Sequence, residues 1–252
     1  MGGFRKPSGI LPKEEGMVVS HPCAAFGFSS FVFFYRKLRL FRLKVLYLHL
    51  DMYRMRRLLV WFRRVRHSRG FGIQSPWAYH FVRYVVDERY PYYAYAELGG
   101  SIAADKQTRK LCRLYFRIAN YRQPRMVIDF GPSTPAYGLY IKAGCRKAEV
   151  VEVAADQDDD AFRRLFDERL SMVDMVRMSL AGNSRGFLEQ VMARADKDTI
   201  LVVEGIHRDR ASRRQWKKLH DDASVGVTFD LYHCGVVFFD RKRYRKQYKM
   251  NF

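Results

Sequence analysis

The spacing of apolar residues changes along the chain, and each spacing predicts an element. From Met55 the apolar positions fall at Met55, Leu58, Leu59, Phe62 and Val65, ringed by Arg54, Arg56, Arg57, Arg63, Arg64 and Arg66. This predicts a basic amphipathic helix with its stripe packed against the body. Trp77, Phe81, Tyr84 and Val85 repeat the helical spacing between Ser75 and Glu88, and a Pro and Tyr cluster from Tyr90 to Tyr95 closes that segment. Leu111, Leu114, Tyr115 and Ile118 mark the buried face of a further helix, expected from Ser101 and stopped by Pro124.

Beyond Pro124, β-rich runs alternate with helical ones. Strands are predicted at Met126 to Phe130, Glu149 to Val153, Asp174 to Ser179 and Thr199 to Val203, with helices near Ala136 to Ala143, Asp159 to Leu170, Arg185 to Ala193 and Arg208 to His220. Parallel neighbours need a crossover, so the alternation predicts a parallel sheet with helices on both faces. Val225 to Leu231 and Cys234 to Phe239, separated by Tyr232 and His233, predict a closing antiparallel hairpin. The expected fold class is α/β, a Rossmann-like doubly wound, mostly parallel sheet with a C-terminal antiparallel hairpin and an N-terminal helical cap. The expected division is an N-terminal extension over 1–51, a basic helix and cap over 52–121, and the Rossmann-like domain over 122–252.

Composition adds three constraints. With 48% hydrophobic and 15% aromatic residues among 252, most of the chain can bury a core, which excludes a disordered protein. Four cysteines, none at CxxC spacing, exclude a disulfide scaffold and suit a reducing, cytoplasmic interior. The net charge of +20 is local: residues 1–70 carry 15 Lys and Arg against 3 acids, residues 241–252 carry 6 against none, and the remainder is nearly neutral. Contact with nucleic acid or an anionic membrane surface is therefore expected through Arg54 to Arg69 and Arg241 to Lys249, not through the body. In the tail, Tyr244, Tyr248 and Phe252 recur every fourth residue, which predicts one packed helical face with solvated cations. The uncharged run from Gly16 to Tyr35 has the outline of a membrane segment, but His21, Pro22 and three serines interrupt it and leave it short. Met52 or Met55 is an alternative start.

In a doubly wound sheet the ligand lies beyond the carboxyl ends of the strands. Two features fall there. The turn Val127 to Gly138 (VIDFGPSTPAYG) sets Asp129 at a strand end and Gly131 in a tight turn before a helix, and Glu152 follows near the end of the next strand. An acid, a glycine turn and a second acid about 20 residues on is a geometry that holds a nucleoside-bearing cofactor. His207, His220, His233 and Cys234 match no compact zinc spacing, so no metal is expected, and the chain has no nucleophile elbow, P-loop or kinase motif.

The segment Arg66 to Tyr95 (RHSRGFGIQSPWAYHFVRYVVDERYPYYAY), with its Gly-Phe-Gly, Ser-Pro and Pro-Tyr-Tyr-x-Tyr elements, resembles the helical cap of a group of bacterial class I S-adenosylmethionine-dependent methyltransferase-like proteins. The resemblance continues through Asp129 to Gly131, Glu152, the Ile-His and Trp of EGIHRDRASRRQW (Glu204 to Trp216), and VTFDLYHCGVVFF (Val227 to Phe239). It implies S-adenosylmethionine as cofactor, held by Asp129, Phe130, Gly131, Ser133 and Glu152, with Gly182 and Asn183 approaching the adenine. It also implies methyl transfer to an O or N acceptor, with His207 as candidate base and Glu204 as a second candidate catalytic residue. The chain departs from the pattern in three places. Glu204 and Gly205 stand for two aspartates, Pro132 to Pro135 replaces the glycine-rich loop, and one strand-helix unit is absent between Asn183 and Thr199. A working methyltransferase, and a degenerate, non-catalytic relative acting as a basic RNA-binding or interaction protein, both remain open at this point.

Overall fold

Residues along each central strand turn alternately to two separate apolar clusters, which is what a sheet covered on both faces requires. The computed structural model describes residues 55, 58–65, 72–101, 105–132, 134–154, 173–181 and 184–252. The chain divides into Met1–Arg57, in which only Met55 is described, and Leu58–Phe252. The expectations for the extension 1–51, the helix at 159–170, Ser133, Gly182 and Asn183 lie outside the described residues.

The strands are β1 (Met126–Phe130), β2 (Glu149–Val153), β3 (Val173–Ser179), β4 (Ile200–Glu204), β5 (Val227–Asp230), β6 (Cys234–Phe238) and β7 (Lys246–Lys249). The helices are α1 (Pro76–Phe81), running into a π-helical turn Val82–Val86, α2 (Tyr93–Ser101), α3 (Lys106–Arg122), α4 (Pro135–Gly144), α5 (Arg185–Arg194) and α6 (Arg210–Asp221). Local chemistry sets their ends. Asp105 and Asp209 cap α3 and α6 by accepting from the Thr108 and Ser212 amides at 2.9 and 2.7 Å. Helix α3 stops where Gln123 turns left-handed (φ 51°) ahead of Pro124.

The seven-stranded sheet has the order β2-β1-β3-β4-β6-β5-β7. Strands β2, β1, β3 and β4 are mutually parallel, and β6 is antiparallel to both β4 and β5. The mostly parallel, doubly wound expectation and the closing hairpin are both seen. One face packs Val127, Met175, Val202 and Phe229 against α1, α3 and α4, so one cluster of buried side chains joins the cap helices to the sheet. The other packs Ile128, Phe130, Met178 and Val203 against α5 and α6. In the usual dinucleotide-binding order the third strand lies outside the second, whereas here β3 pairs with β1, on the side away from β2. The strand absent from that order among the described residues is the one that would follow β2 and sit on its outer side, ahead of β3; this corrects the expected gap after Asn183, where β3 and β4 are direct parallel neighbours joined through Arg185–Arg194.

Three further expectations are corrected. Tyr93–Ser101 is a helix rather than the end of one, since Tyr92 and Tyr95 pack on Phe116 of α3 with ring centroids 4.8 and 5.2 Å apart. The basic tail is a strand: β7 runs parallel to β5, and Tyr248 stacks on Phe229 at 5.3 Å while Tyr244 stays 86% exposed. Pairing with the open edge of β5 outweighs the helical spacing. In the helical segment 58–64 the apolar stripe of Leu58, Leu59 and Phe62 is exposed, and Arg64 faces inward instead.

Candidate functional site

Strand order reverses at β1, and the crevice beyond the carboxyl ends of β2, β1 and β3 is where such sheets receive ligands. In register, Glu152 of β2 lies beside Asp129 of β1, and Asp129 beside Arg177 of β3. All three face the α3–α4 side, where Glu204 of β4 joins them.

The turn after β1 begins at Gly131, whose φ of +90° is open to glycine and strained for other residues. A Cβ there would also lie 3.6 Å from that of Ser179. The Gly131 amide donates to the Val153 carbonyl at 2.9 Å, tying the turn to β2. Glu152 is exposed, and a Cβ added at Gly138 would lie 3.6 Å from its Oε1, so this carboxylate stands over the start of α4 beside the turn.

The other half of the crevice is already filled. Arg177 and Asp129 are both fully buried, with side-chain exposure of 0%. The guanidinium donates from Nη1 to Asp129 Oδ1 at 2.7 Å and to the Phe130 carbonyl at 3.4 Å, from Nη2 to the Pro132 carbonyl at 2.9 Å, and from Nε to Glu204 Oε1 at 3.0 Å. It also lies 4.6 Å from the Tyr137 ring centroid, a cation–π contact strengthened by desolvation. The Tyr115 hydroxyl donates to the same Glu204 oxygen. Burial alone would lower the pKa of Arg177, but Glu204, Tyr115 and Asp129 reverse the effect and raise it. Burial and then the Glu204 charge push the Tyr115 hydroxyl well above its usual range, so it remains a donor. Cys112 is pushed up to about 12 by burial and then by Glu204, so its thiol is no nucleophile at neutral pH.

The structure thus distributes the expected site residues unevenly. Asp129, Gly131 and Glu152 come together at the switch point. Phe130 turns to the opposite face and stacks on Phe187 at 4.0 Å, away from the crevice. Glu204 is engaged by Arg177 and Tyr115. For the expected cofactor, the residues present fit the nucleoside end, where Glu152 is open; over the turn, Asp129 and the Pro132 carbonyl accept from Arg177, and Ser133 lies outside the described residues. Pro135, first residue of α4, removes one further amide, and Thr134 before it makes no side-chain cap bond. Sequence reasoning passed over Arg177; the available signal was a lone arginine within the apolar run Met175 to Met178 (MVRM), which a buried strand tolerates only with counter-charges beside it.

His207 lies in the turn between β4 and α6 with its ring against the end of β5, which is five strand spacings, or ~24 Å, from β2 and Glu152 along the sheet edge. Its Nε2 is 2.8 Å from Asp230 Oδ2 at the end of β5. Arg64 Nη2 lies 3.2 Å from the same Nε2, so a donor and an acceptor both face this nitrogen. Arg64 completes the cluster, donating to Asp230 Oδ1 and Oδ2 at 2.9 and 3.1 Å and lying over the Tyr232 ring at 5.2 Å. A cleft of about 270 Å³ opens beside His207, between α6 and β5 and β7, lined by Trp216, Lys217, His220, Gln247 and Lys249.

The two basic segments are partly turned inward. Arg243 pairs with Asp240 at 3.0 Å and sits 4.1 Å from the Trp77 ring centroid, and Arg245 donates to the His220 carbonyl at 2.6 Å. Of the arginines from Arg54 to Arg69, only Arg63 and Arg64 are described. Among the described residues no helix is long and apolar enough to cross a membrane, and no cluster of three or more His, Cys, Asp or Glu is placed to hold a metal ion.

No family model matches the chain, and no curated protein does. Among solved structures it resembles the MycE methyltransferase of the mycinamycin biosynthetic pathway at 10% identity, covering 61% of this chain and 50% of that one with a TM-score of 0.42. It also resembles cofactor-bound Rv0187 from MTB at 14% identity, covering 65% and 95% with a TM-score of 0.40. A third is the release-factor-specific protein-(glutamine-N5) methyltransferase of Alicyclobacillus acidocaldarius, at 13% identity, 49% and 89% coverage and a TM-score of 0.32. The chain spans about half the length of MycE. These are loose superpositions, and the doubly wound fold stands on the strand order itself.

Proposed function

We propose that this chain is a methyltransferase-type protein that binds the adenosyl part of S-adenosylmethionine in the crevice at the β1 switch point and serves methyl transfer to an O or N acceptor. The observation that carries the reading is Glu152, an exposed carboxylate near the end of β2, set beside the Gly131 turn where strand order reverses about β1. A carboxylate there accepts the hydroxyl protons of a ribose. The cofactor's contribution is an electrophilic methyl group on a sulfonium that departs as a neutral thioether, so the protein needs no nucleophile of its own.

The remaining roles fall to this chain's residues. Glu152 and the Gly131 turn orient the nucleoside, and the attacking hydroxyl or amine gives its proton to solvent, because His207, bonded to Asp230 at the end of β5, lies too far along the sheet edge to take it directly. Calorimetric titration with S-adenosylhomocysteine tests the reading. Saturable binding that falls at least tenfold in Glu152→Ala is expected; no binding at millimolar ligand, or binding indifferent to that substitution, overturns it.

A further inference from the structure

We infer that the helical segment 58–65 is a membrane-contact face, which lays its apolar stripe into the surface of an anionic bilayer while the basic residues beside it meet the lipid phosphates. The inference is independent of the nucleoside reading.

Leu58, Leu59, Phe62 and Val65 fall on one side of this helix, with Trp61 at the stripe's edge. Leu58, Leu59, Trp61 and Phe62 are 46 to 64% exposed, and the Trp61 and Phe62 rings meet edge to face at 5.0 Å. Contiguous apolar side chains on a surface mark a contact with something else. The other side of the helix is clamped to the body. Arg64 stands two positions after Phe62, about 200° around the helix. Its Nη1 donates to Asp230 Oδ1 at 2.9 Å and to the Met250 carbonyl at 3.2 Å. The clamp therefore turns the stripe outward and joins the two basic ends of the chain: Arg63 flanks the stripe, Lys249 precedes Met250, and both are exposed. No Asp or Glu occurs between Asp51 and Asp87. An apolar stripe with basic flanks and no acid matches an anionic lipid surface, which offers hydrocarbon to the one and phosphates to the other. A second copy of this chain would bring like charges together. A nucleic acid would satisfy the cations and the two rings but leave Leu58, Leu59 and Val65 in water.

Co-sedimentation of the full chain with phosphatidylcholine vesicles, pure or with about one third phosphatidylglycerol, tests this, with tryptophan emission as a second readout. Binding about tenfold tighter to the anionic vesicles is expected, with emission shifted to shorter wavelength as Trp61 leaves water. Leu59→Ser combined with Phe62→Ser is expected to weaken that binding about tenfold and to abolish the shift, at an unchanged unfolding midpoint, because both side chains are exposed. No binding to anionic vesicles, equal binding to both kinds, or anionic binding that ignores the double substitution overturns the inference. A wild-type dimer that becomes monomeric in the double variant overturns it in favour of a second copy, and RNA binding without vesicle binding overturns it in favour of nucleic acid. Should the double variant not fold, as judged by circular dichroism, the wild-type vesicle preference and emission shift decide.

Discussion

Asp230 is the residue whose surroundings most clearly set a measurable property. Burial alone would raise its pKa, but hydrogen bonds from His207 and Arg64 outweigh that and bring it down from 3.8 to about 2. A carboxyl with a depressed folded-state pKa stabilises the native state above its unfolded pKa, and this is lost as pH falls through the folded value. The shift corresponds to about 2 kcal/mol, present at neutral pH and lost between roughly pH 4 and pH 2. Urea unfolding of Asp230→Asn is expected to show that deficit at pH 7 and almost none near pH 2; a deficit independent of pH would mean that the ion pair contributes nothing. His207 and Asp230 were legible as separate polar residues, one in a turn and one ending a strand. Their pairing across 23 positions was not, because a histidine's partner depends on which strands become neighbours.

At the scale of elements, the junction of α3 and α4 sets the wall of the crevice that carries Tyr115 and Tyr137. The two helices meet where Gly144 lies against α3. A Cβ at that position would fall inside van der Waals distance of the Phe116 carbonyl oxygen, which is backbone and cannot turn aside. Gly144→Ala is expected to cost about 1–3 kcal/mol, read as a lower urea midpoint at unchanged slope; a midpoint equal to wild type would show that α4 shifts freely. The described strand and helix positions between Met126 and Phe238 were legible because period-2 and period-3.6 patterns there agree with capping and turn residues. Helix Tyr93–Ser101 was not, since its aromatic residues are held by α3 rather than by a stripe of their own.

For the whole molecule, the +20 charge says less about function than its size suggests, because part of it is structural. Strand β7 covers the edge of β5 and buries Tyr248 and Met250. Removing residues 241–252 is expected to cost at least ~3 kcal/mol from those two side chains and to promote aggregation through the uncovered edge. Thermal unfolding and light scattering of the truncated chain check this, and a truncated protein with wild-type stability would return the tail to a solvated appendage. By itself the sequence determined the alternation of strands and helices, the parallel sheet with its closing hairpin, and the acid, glycine and acid of the β1 and β2 ends. Those depend on neighbours along the chain and on burial, which local pattern records. Only the tertiary structure decided that β3 takes the seat beside β1, that the tail becomes a strand, and that Arg177 spends its charge on Asp129 and Glu204. Each of these is a choice among partners distant in sequence, and the charge of a buried side chain is settled by whichever partners the fold brings within hydrogen-bond reach.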